Sequence, residues 1–146
     1  MKTLMLFSAV FALSLTACAE QDSRPPASDP VEPAVAVLKS GEQVYTEVCR
    51  ACHASGAAKA PKTGDREDWE KLGEEGQAVV TAHGWVGVRG MPPKGGRPNL
   101  SLKEFARATA WMARSAGVDW QDPDDDMLEE IREEEEKRIE DLKSRS

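Results

Sequence analysis

The residues of this sequence best suited to chemistry are two cysteines and a histidine in one short stretch, Cys49-Arg50-Ala51-Cys52-His53. The C-x-x-C-H spacing is the signature of covalent c-type haem attachment. On a helix, residues three and four apart share one face, so Cys49 and Cys52 can each form a thioether with one haem vinyl group. His53 then lies where its imidazole can ligate the iron. The stretch therefore predicts one covalently bound haem c.

Two other kinds of site use closely spaced cysteines, a structural zinc site and a redox-active dithiol. A structural zinc site takes about four ligands, usually from two Cys/His pairs, and this sequence has no second pair. A thioredoxin-like dithiol belongs to a strand–helix–strand context, which the sequence does not indicate. We therefore favour haem and keep the zinc site and the dithiol as alternatives.

The other side of the iron decides between electron transfer and ligand chemistry. Met91 is the favoured second ligand, because it lies 38 residues after His53 in a loop rich in Gly and Pro, where the backbone can pass close to a flat ligand. Met112 falls on the apolar face of a predicted helix, and Met127 falls in an acidic tail. His83, the only other histidine, is the competing ligand.

The N-terminal region has the organisation of an export signal. A charged start precedes an apolar run of 12 residues, 4–15, which is too short to span a bilayer and suits a signal peptide. The run leads into Leu-Thr-Ala-Cys ending at Cys18, which resembles a bacterial lipobox, a site cleaved before a cysteine that is then acylated. We expect a lipoprotein signal peptide over residues 1–17 and a lipid anchor on Cys18, on the periplasmic side of a bacterial membrane. The alternative is an ordinary secretory signal cleaved after Ala17 or Ala19.

The rest of the chain divides by composition into three parts. Residues 18–39 are rich in proline and polar residues, and because such linkers stay extended we expect the acylated cysteine to begin a tether. Residues 40–118 contain the haem motif and form the expected haem domain. Residues 119–146 carry 13 acidic and 5 basic residues, a net charge of −8, whereas residues 39–118 carry a net charge of +3. This acidic tail is predicted to be helical from about Asp126.

Helix signals along the haem domain predict an all-α fold. Ser40 and Ser101 each begin a capping box, which predicts one helix leading into the C-x-x-C-H stretch and a long last helix that Gly117 ends. Asp65 caps a short helix, and a further helical stretch is expected to end at Gly84. The inward face of the last helix is expected to hold Leu102, Phe105, Thr109, Met112 and Ala116.

The acidic tail allows two interpretations. Glu135 interrupts its weak apolar stripe, and ion pairs four residues apart are expected from Glu133 to Lys137 and from Glu134 to Arg138. The simpler interpretation is a solvated helix or disordered extension. The other is an electrostatic lid that folds back over the basic haem edge. The stripe itself consists of Leu128, Ile131, Ile139 and Leu142.

Residues 40–118 resemble class I cytochrome c, with a spacing similar to the cytochrome c-five subgroup. The resemblance implies a small fold in which the first and last helices cross and the helices surround a covalently attached haem. Many members of the subgroup have a cysteine pair near the methionine loop, where this sequence has Arg97 and Leu100. The stretches that carry the resemblance are Val44-Tyr45, Cys52 to Gly56, Ala60 to Asp65, and Met91 to Gly96.

The resemblance also implies roles for individual residues. Cys49 and Cys52 would attach the haem, and His53 and Met91 would be its axial ligands. Pro61 would correspond to the proline whose carbonyl accepts the ring N–H of His53 and so orients the imidazole. The signal peptide, the tether and the acidic tail lie outside the resemblance.

Together these features predict a membrane-tethered, one-electron carrier that is not an enzyme. Two fixed strong ligands keep the iron geometry nearly unchanged between its oxidation states, so electron transfer needs little reorganisation. The expected partners are redox proteins of a respiratory chain and the membrane itself, with no nucleic acid and no small-molecule substrate. Basic loop residues either serve solubility or steer an acidic partner toward the haem edge; they are Arg50, Lys59, Lys62, Arg89, Lys94 and Arg97.

Two alternative functions belong to other classes. The first is a haem protein that reacts with peroxide or a gas, in which the incoming ligand displaces Met91. The second is an assembly or docking lipoprotein, a subunit of a respiratory complex in which the acidic helix makes the contact. An optical spectrum separates the first alternative from a carrier, because a stable His/Met haem shows a weak near-infrared sulfur-to-iron band.

Overall fold

The structure is a computed structural model that describes residues 37–146, and the regular secondary structure of these residues is helical. This confirms the predicted all-α fold class. A π-helical turn, Tyr45–Cys49, joins the first two helices into one continuous run, and short 3₁₀ helices lie at Ala57–Lys59 and Pro93–Gly96. The α-helices are α1 Gly41–Val44, α2 Arg50–His53, α3 Arg66–Glu75, α4 Gln77–Val86, α5 Leu102–Ser115 and α6 Asp125–Ser144.

The predictions for the N-terminal region lie outside the described residues. They concern the signal peptide over residues 1–17, the acylated Cys18 and all but the last residues of the tether, 18–39. Within residues 37–146, no helix combines the length and the apolar character needed to cross a membrane.

The helix starts follow the predicted capping chemistry. The Ser40 side chain accepts from the backbone N–H of Gln43 at 3.2 Å, and the Gln43 side chain accepts from the Ser40 N–H at 2.8 Å. Ser101 and Glu104 repeat this reciprocal pair at the start of α5, with both distances at 3.3 Å. Asp65 caps α3 as expected. Both predicted capping boxes are therefore confirmed, and they place the helices that carry the cleft residues.

The first and last helices of the predicted haem domain cross at Gly41. A Cβ atom on Gly41 would lie 2.3 Å from the backbone oxygen of Arg107 in α5, so only glycine allows this approach. Val44, one turn further on, is fully buried at the same contact. The rings of Tyr45 and Trp111 pack beside it with centroids 4.6 Å apart. The crossing fixes the direction in which the helical run enters the C-x-x-C-H stretch.

The prediction that Gly84 ends its helix is wrong. Helix α4 continues to Val86 and ends at Gly87, whose φ of +101° favours glycine. Gly84 is buried inside the helix because neighbouring groups need the space of its missing side chain. A Cβ atom there would lie 3.1 Å from Phe105 Cζ and 3.7 Å from the terminal methyl of Met91.

The acidic tail has a buried side. Helix α6 packs against α4, where Leu128 and Ile131 join Ala82 and Ala106 in an apolar cluster, and Ile131 has no exposed surface. The stripe loosens toward the end of the helix, where Leu142 is exposed. The tail is therefore a folded element with one buried face and one acidic face, which neither a disordered extension nor a fully solvated helix describes.

Packing also continues across the predicted boundary at residue 118. Trp120 is buried, and its ring lies edge-on to that of Trp69, with centroids 6.2 Å apart. Arg114 near the end of α5 donates to the backbone oxygen of Trp120 at 2.8 Å and to Asp122 at 2.9 Å. The segment between α5 and α6 therefore packs on the core through Trp120 and is hydrogen-bonded to α5 through Arg114.

The ion pairs predicted on the tail differ from those in the structure. Lys137 binds Glu134, three residues before it, at 2.8 Å, instead of Glu133. Arg138 pairs with Asp141 at 3.4 Å instead of Glu134. Both spacings place charges on one helix face, and these two pairs use the spacing of three residues.

Candidate haem-binding cleft

A single cleft brings the predicted site residues together. Cys49, Cys52, His53, Pro61 and Met91 all line it. Its volume is about 210 Å³, or about 1240 Å³ when the open solvent at its mouth is included. Apolar side chains from several elements complete its walls, among them Val48, Leu72, Val80, Phe105 and Met112.

The His53 imidazole is buried and held in one orientation. Its Nδ1 lies 2.8 Å from the backbone oxygen of Pro61. A carbonyl oxygen can only accept, so Nδ1 carries the proton and donates it. In the neutral ring the other nitrogen, Nε2, is then the one without a proton, and it can serve as a metal ligand. The predicted hydrogen bond between His53 and Pro61 is confirmed.

Helix α3 holds the loop that presents the Pro61 carbonyl. The indole N–H of Trp69 donates to the backbone oxygen of Lys62 at 2.9 Å, and Asp68 accepts from the Lys62 backbone N–H at 2.8 Å. Trp69 is almost completely buried. This role of Trp69 was not predicted from the sequence, although a buried indole N–H usually needs a partner, and the adjacent loop offers carbonyls.

The two cysteines differ in burial, and both are free thiols. Cys49 is buried at the end of the π-helical turn, whereas Cys52 is exposed. Burial raises the pKa of the Cys49 thiol to about 11. A redox-active dithiol requires a lowered cysteine pKa, so the environment of Cys49 argues against the dithiol alternative. Within residues 37–146, no group of three or more His, Cys, Asp or Glu side chains is arranged to hold a metal ion.

Met91 lies in a tight loop that follows α4. Its backbone exchanges hydrogen bonds with Val88, at 2.9 and 3.1 Å. Gly87 lets the loop fold back, because a Cβ there would lie 3.1 Å from Pro93. Gly84 leaves space beside the methionine methyl group. These contacts place a thioether sulfur in the wall of a cleft that also contains an oriented imidazole.

His83 also lines the cleft, from the last turn of α4. Its pKa is lowered below the usual value, chiefly by burial and further by the positive charge of Arg138. A neutral imidazole can bind a metal, so the choice of Met91 over His83 as second ligand stays a prediction. Met112 lines the cleft as well, and its burial in α5 agrees with the predicted core role.

The acidic tail does not cover this cleft. The residues that line it include none from 119–146, so the lid hypothesis is wrong for the described structure. Two of the predicted basic residues, Lys59 and Arg89, lie at the cleft and are exposed. Lys62 is paired with Asp65 at 3.1 Å. Lys94 lies over the Trp85 ring, 4.4 Å from its centroid.

The chemistry of the cleft residues fits a covalently bound haem. Two free thiols and an imidazole that is oriented by its hydrogen bond to Pro61 line the cleft, and a separate loop contributes a thioether sulfur. The apolar walls would exclude water from both faces of a flat ring. The haem expected from the sequence therefore has thiol, imidazole and thioether groups at the walls of one cleft.

The cleft lies within the part of the chain that is similar to known proteins. Residues 36–112, about half of the chain, match the family model described as cytochrome c oxidase, cbb3-type, subunit III. A cytochrome c-555 from Prosthecochloris aestuarii is 36% identical over 83 residues, covering 51% of this chain and 84% of that protein. A cytochrome c5 from Azotobacter vinelandii is 34% identical over 77 residues, covering 51% of this chain and 93% of that protein.

A solved structure gives the same result for the fold. One chain of an electron transfer complex of nitrite reductase with cytochrome c superimposes with a TM-score of 0.50 and 37% sequence identity. The match covers 52% of this chain and 93% of that chain. The family model ends at residue 112, so helix α6 lies outside it.

Proposed function

The chain belongs to the class I c-type cytochromes of the c5 and c-555 kind, with haem c as cofactor, and on that premise we propose that it is a membrane-tethered one-electron carrier. The observation that carries the proposal is the hydrogen bond from His53 to Pro61. It points the free imidazole nitrogen at a cleft that is also lined by Cys49, Cys52 and Met91. This arrangement suits a ring held by two thioethers and two axial ligands.

Each residue of the cleft contributes to electron transfer without a substrate site. Cys49 and Cys52 would hold the ring through thioethers, and His53, oriented by Pro61, would bind the iron together with Met91. A weak thioether donor and burial would both favour the reduced state. Bound haem supplies one-electron exchange between ferric and ferrous iron. Because His53 and Met91 would bind the iron in both states, the protein would change little between them.

The place of action is proposed from the N-terminal sequence. The apolar run and the Leu-Thr-Ala-Cys sequence ending at Cys18 support export and acylation, and the proline-rich residues 18–39 support a tether. We place the haem domain on the periplasmic side of a bacterial membrane. The test is Cys18→Ser: the variant should keep its haem but leave the membrane fraction. A variant that stays in the membrane would contradict the lipid anchor.

The proposed partners are redox proteins of a respiratory chain. A similar cytochrome c chain occurs in an electron transfer complex with nitrite reductase. The exposed Lys59 and Arg89 at the cleft would attract an acidic partner surface toward the haem edge. Electron transfer to such a partner should therefore slow as the salt concentration rises, because exposed charges are screened.

A second candidate is a docked subunit of a respiratory complex. The description of the matching family model, a subunit of a cytochrome c oxidase, favours it, and so does the acidic outer face of α6. Mild detergent extraction separates the two candidates. A carrier elutes by itself, whereas a subunit elutes together with further haem-containing chains.

The second axial ligand is the sharpest test of the carrier. Met91→Ala should keep covalent haem, lose the near-infrared sulfur-to-iron band and bind carbon monoxide. Its reduction potential should fall by on the order of 100 mV, because the axial ligand sets the potential. The matched control is His83→Ala, which removes the competing ligand and should keep the band. If the unaltered protein lacks the band, and its iron becomes open to carbon monoxide in His83→Ala but not in Met91→Ala, the assignment passes to His83. Ready binding of carbon monoxide by the unaltered protein would favour a gas-reactive function.

A further inference from the structure

The loop that carries Met91 is linked to helix α6 through one side chain, Trp85. Trp85 lies in the last turn of α4, two residues before the loop begins at Gly87, and is largely buried. Its indole Nε1–H donates to a carboxylate oxygen of Glu135 in α6 at 3.0 Å. Contacts from α4, α6 and the loop therefore meet at a single ring.

The same ring is contacted by the methionine loop itself. The ammonium group of Lys94, three residues after Met91, lies 4.4 Å from the centroid of the Trp85 ring, within the range of a cation–π interaction. Phe105 of α5 packs edge-on against the Trp85 ring, with centroids 5.5 Å apart. Phe105 of α5 therefore fixes the ring, and the ring in turn contacts Lys94 of the loop and Glu135 of α6.

The hydrogen bond from Trp85 to Glu135 and the cation–π contact with Lys94 strengthen each other. A carboxylate that accepts from the indole N–H makes the ring more electron-rich, and an electron-rich ring attracts a cation more strongly. Glu135, which interrupts the apolar stripe of α6, is half-buried at this contact. Its place in an otherwise apolar row is explained by the indole N–H that needs an acceptor.

The backbone of the loop needs such a contact. Lys94 has a φ of +55°, a left-handed conformation that is uncommon for a lysine and persists where surrounding contacts hold it. Gly95, the next residue, is also left-handed, with a φ of +63°. The turn that brings Lys94 back onto Trp85 is therefore stabilised by the ring contact and not by the intrinsic preference of the residue.

We infer that Trp85 and Glu135 are positioning residues for Met91, and that α6 keeps the methionine loop closed against the cleft. The inference rests on the proposed function, with Met91 as the axial ligand. It assigns a role in the haem site to a helix that lies outside the matching family model. The residues act through Lys94 and the loop backbone, and neither lines the cleft.

Imidazole binding measures how often the loop opens. Imidazole reaches the iron only when the methionine is detached, so its apparent affinity is proportional to the fraction of open protein. The chain offers a matched pair, Glu135→Ala and Glu136→Ala. Each removes one carboxylate from neighbouring positions of α6, but Glu136 is exposed, and only Glu135 accepts from Trp85.

In the full-length holoprotein, only variants that break the contacts of Trp85 with Glu135 or Lys94 should change imidazole binding. Glu135→Ala should bind imidazole about three- to tenfold more tightly than the unaltered protein, because a charge-assisted hydrogen bond no longer holds the loop closed. Trp85→Phe lacks the N–H and Lys94→Gln lacks the cation, so both variants should also bind imidazole more tightly than the unaltered protein. Glu135→Gln keeps an acceptor oxygen and should bind with an affinity between those of the unaltered protein and Glu135→Ala. Glu136→Ala should show no change.

Thermal unfolding of the same variants separates positioning from simple stability. If Glu135→Ala lowers the melting temperature but binds imidazole with the same affinity as Glu136→Ala, α6 is only a structural support and the inference is wrong. If Glu135→Ala does not fold, Lys94→Gln decides, because its side chain lies on the loop side of the ring. Absence of methionine ligation in the unaltered protein would instead overturn the proposed function, and it would be visible before any variant is made.

Discussion

The cleft and helix α6 differ in whether their packing is complete without a ligand. The apolar cluster that includes Cys49, Trp69 and Met112 borders the cleft and leaves it open. The cluster that joins α4 and α5 to α6 around Ile131 shares no residue with the cleft. The first region is a core that a haem completes, and the second is a core that side chains fill. The two regions should therefore respond differently to loss of the haem and to loss of a side chain.

The largest expected effect is in the cleft. Replacing both attachment cysteines, Cys49→Ala with Cys52→Ala, should abolish covalent haem, and a haem stain on a denaturing gel measures this directly. Helicity should fall only in part, because the cluster around Ile131 keeps all its contacts. The control is Cys18→Ala, which removes the remaining cysteine of the chain and should leave the haem stain unchanged. A haem stain that persists in the double variant would contradict thioether attachment at these positions.

A core substitution in α6 should have the converse effect. Ile131 is fully buried, so Ile131→Ala should lower the free energy of unfolding by about 2–4 kcal/mol, the usual cost of such a cavity. The absorption spectrum of the folded holoprotein should not change. Ile139→Ala is the matched control. Because Ile139 is only half-buried, its replacement should lower the free energy of unfolding by less. Guanidinium titration followed by circular dichroism gives both values, and equal losses would mean that α6 is not anchored at Ile131.

The smallest expected effect concerns the start of α5. The pKa of Glu104 lies below its usual value, first because its carboxylate accepts from the Ser101 hydroxyl, and also because backbone N–H groups donate to it. A lowered pKa in the folded state stabilises the protein above the pKa of the unfolded chain, and this contribution is lost as the pH falls through the folded pKa.

The comparison is therefore between the unaltered protein and Glu104→Gln as a function of pH. Glutamine can also form the capping box, so the difference in unfolding free energy should be at most about 0.5 kcal/mol at neutral pH after solvent screening. It should shrink as the pH falls below the usual pKa of the carboxyl, about 4.5, and vanish once the carboxyl is protonated in the folded protein. A difference that grows as the pH falls would contradict the sign of the pKa shift.

Short-range patterns were enough to predict most of the cleft. Cys49, Cys52 and His53 follow one another closely, and both capping boxes involve residues three apart, so a local reading identifies them. Met91 was found by its Gly and Pro neighbours, which indicate a loop that can approach a flat ligand. The resemblance to a known family added the role of Pro61, and the hydrogen bond to His53 confirms it.

Contacts between distant segments could not be predicted in this way. Gly84 was interpreted as a helix end because glycine often ends helices, but its role depends on Phe105 in another helix. Glu135 was interpreted as a break in an apolar stripe, yet it accepts from the indole of Trp85, 50 residues away. In each case the partner decides the role of the residue, and the partner is close only after the chain has folded.

We expect this chain to bind one haem between His53 and Met91 and to exchange single electrons. A potentiometric titration of the full-length protein extracted from membranes, followed by its absorption spectrum, tests this expectation. The titration should show a single one-electron transition at a positive potential, with the near-infrared sulfur-to-iron band present in the oxidised form. A strongly negative potential, or an oxidised spectrum without that band, would contradict it.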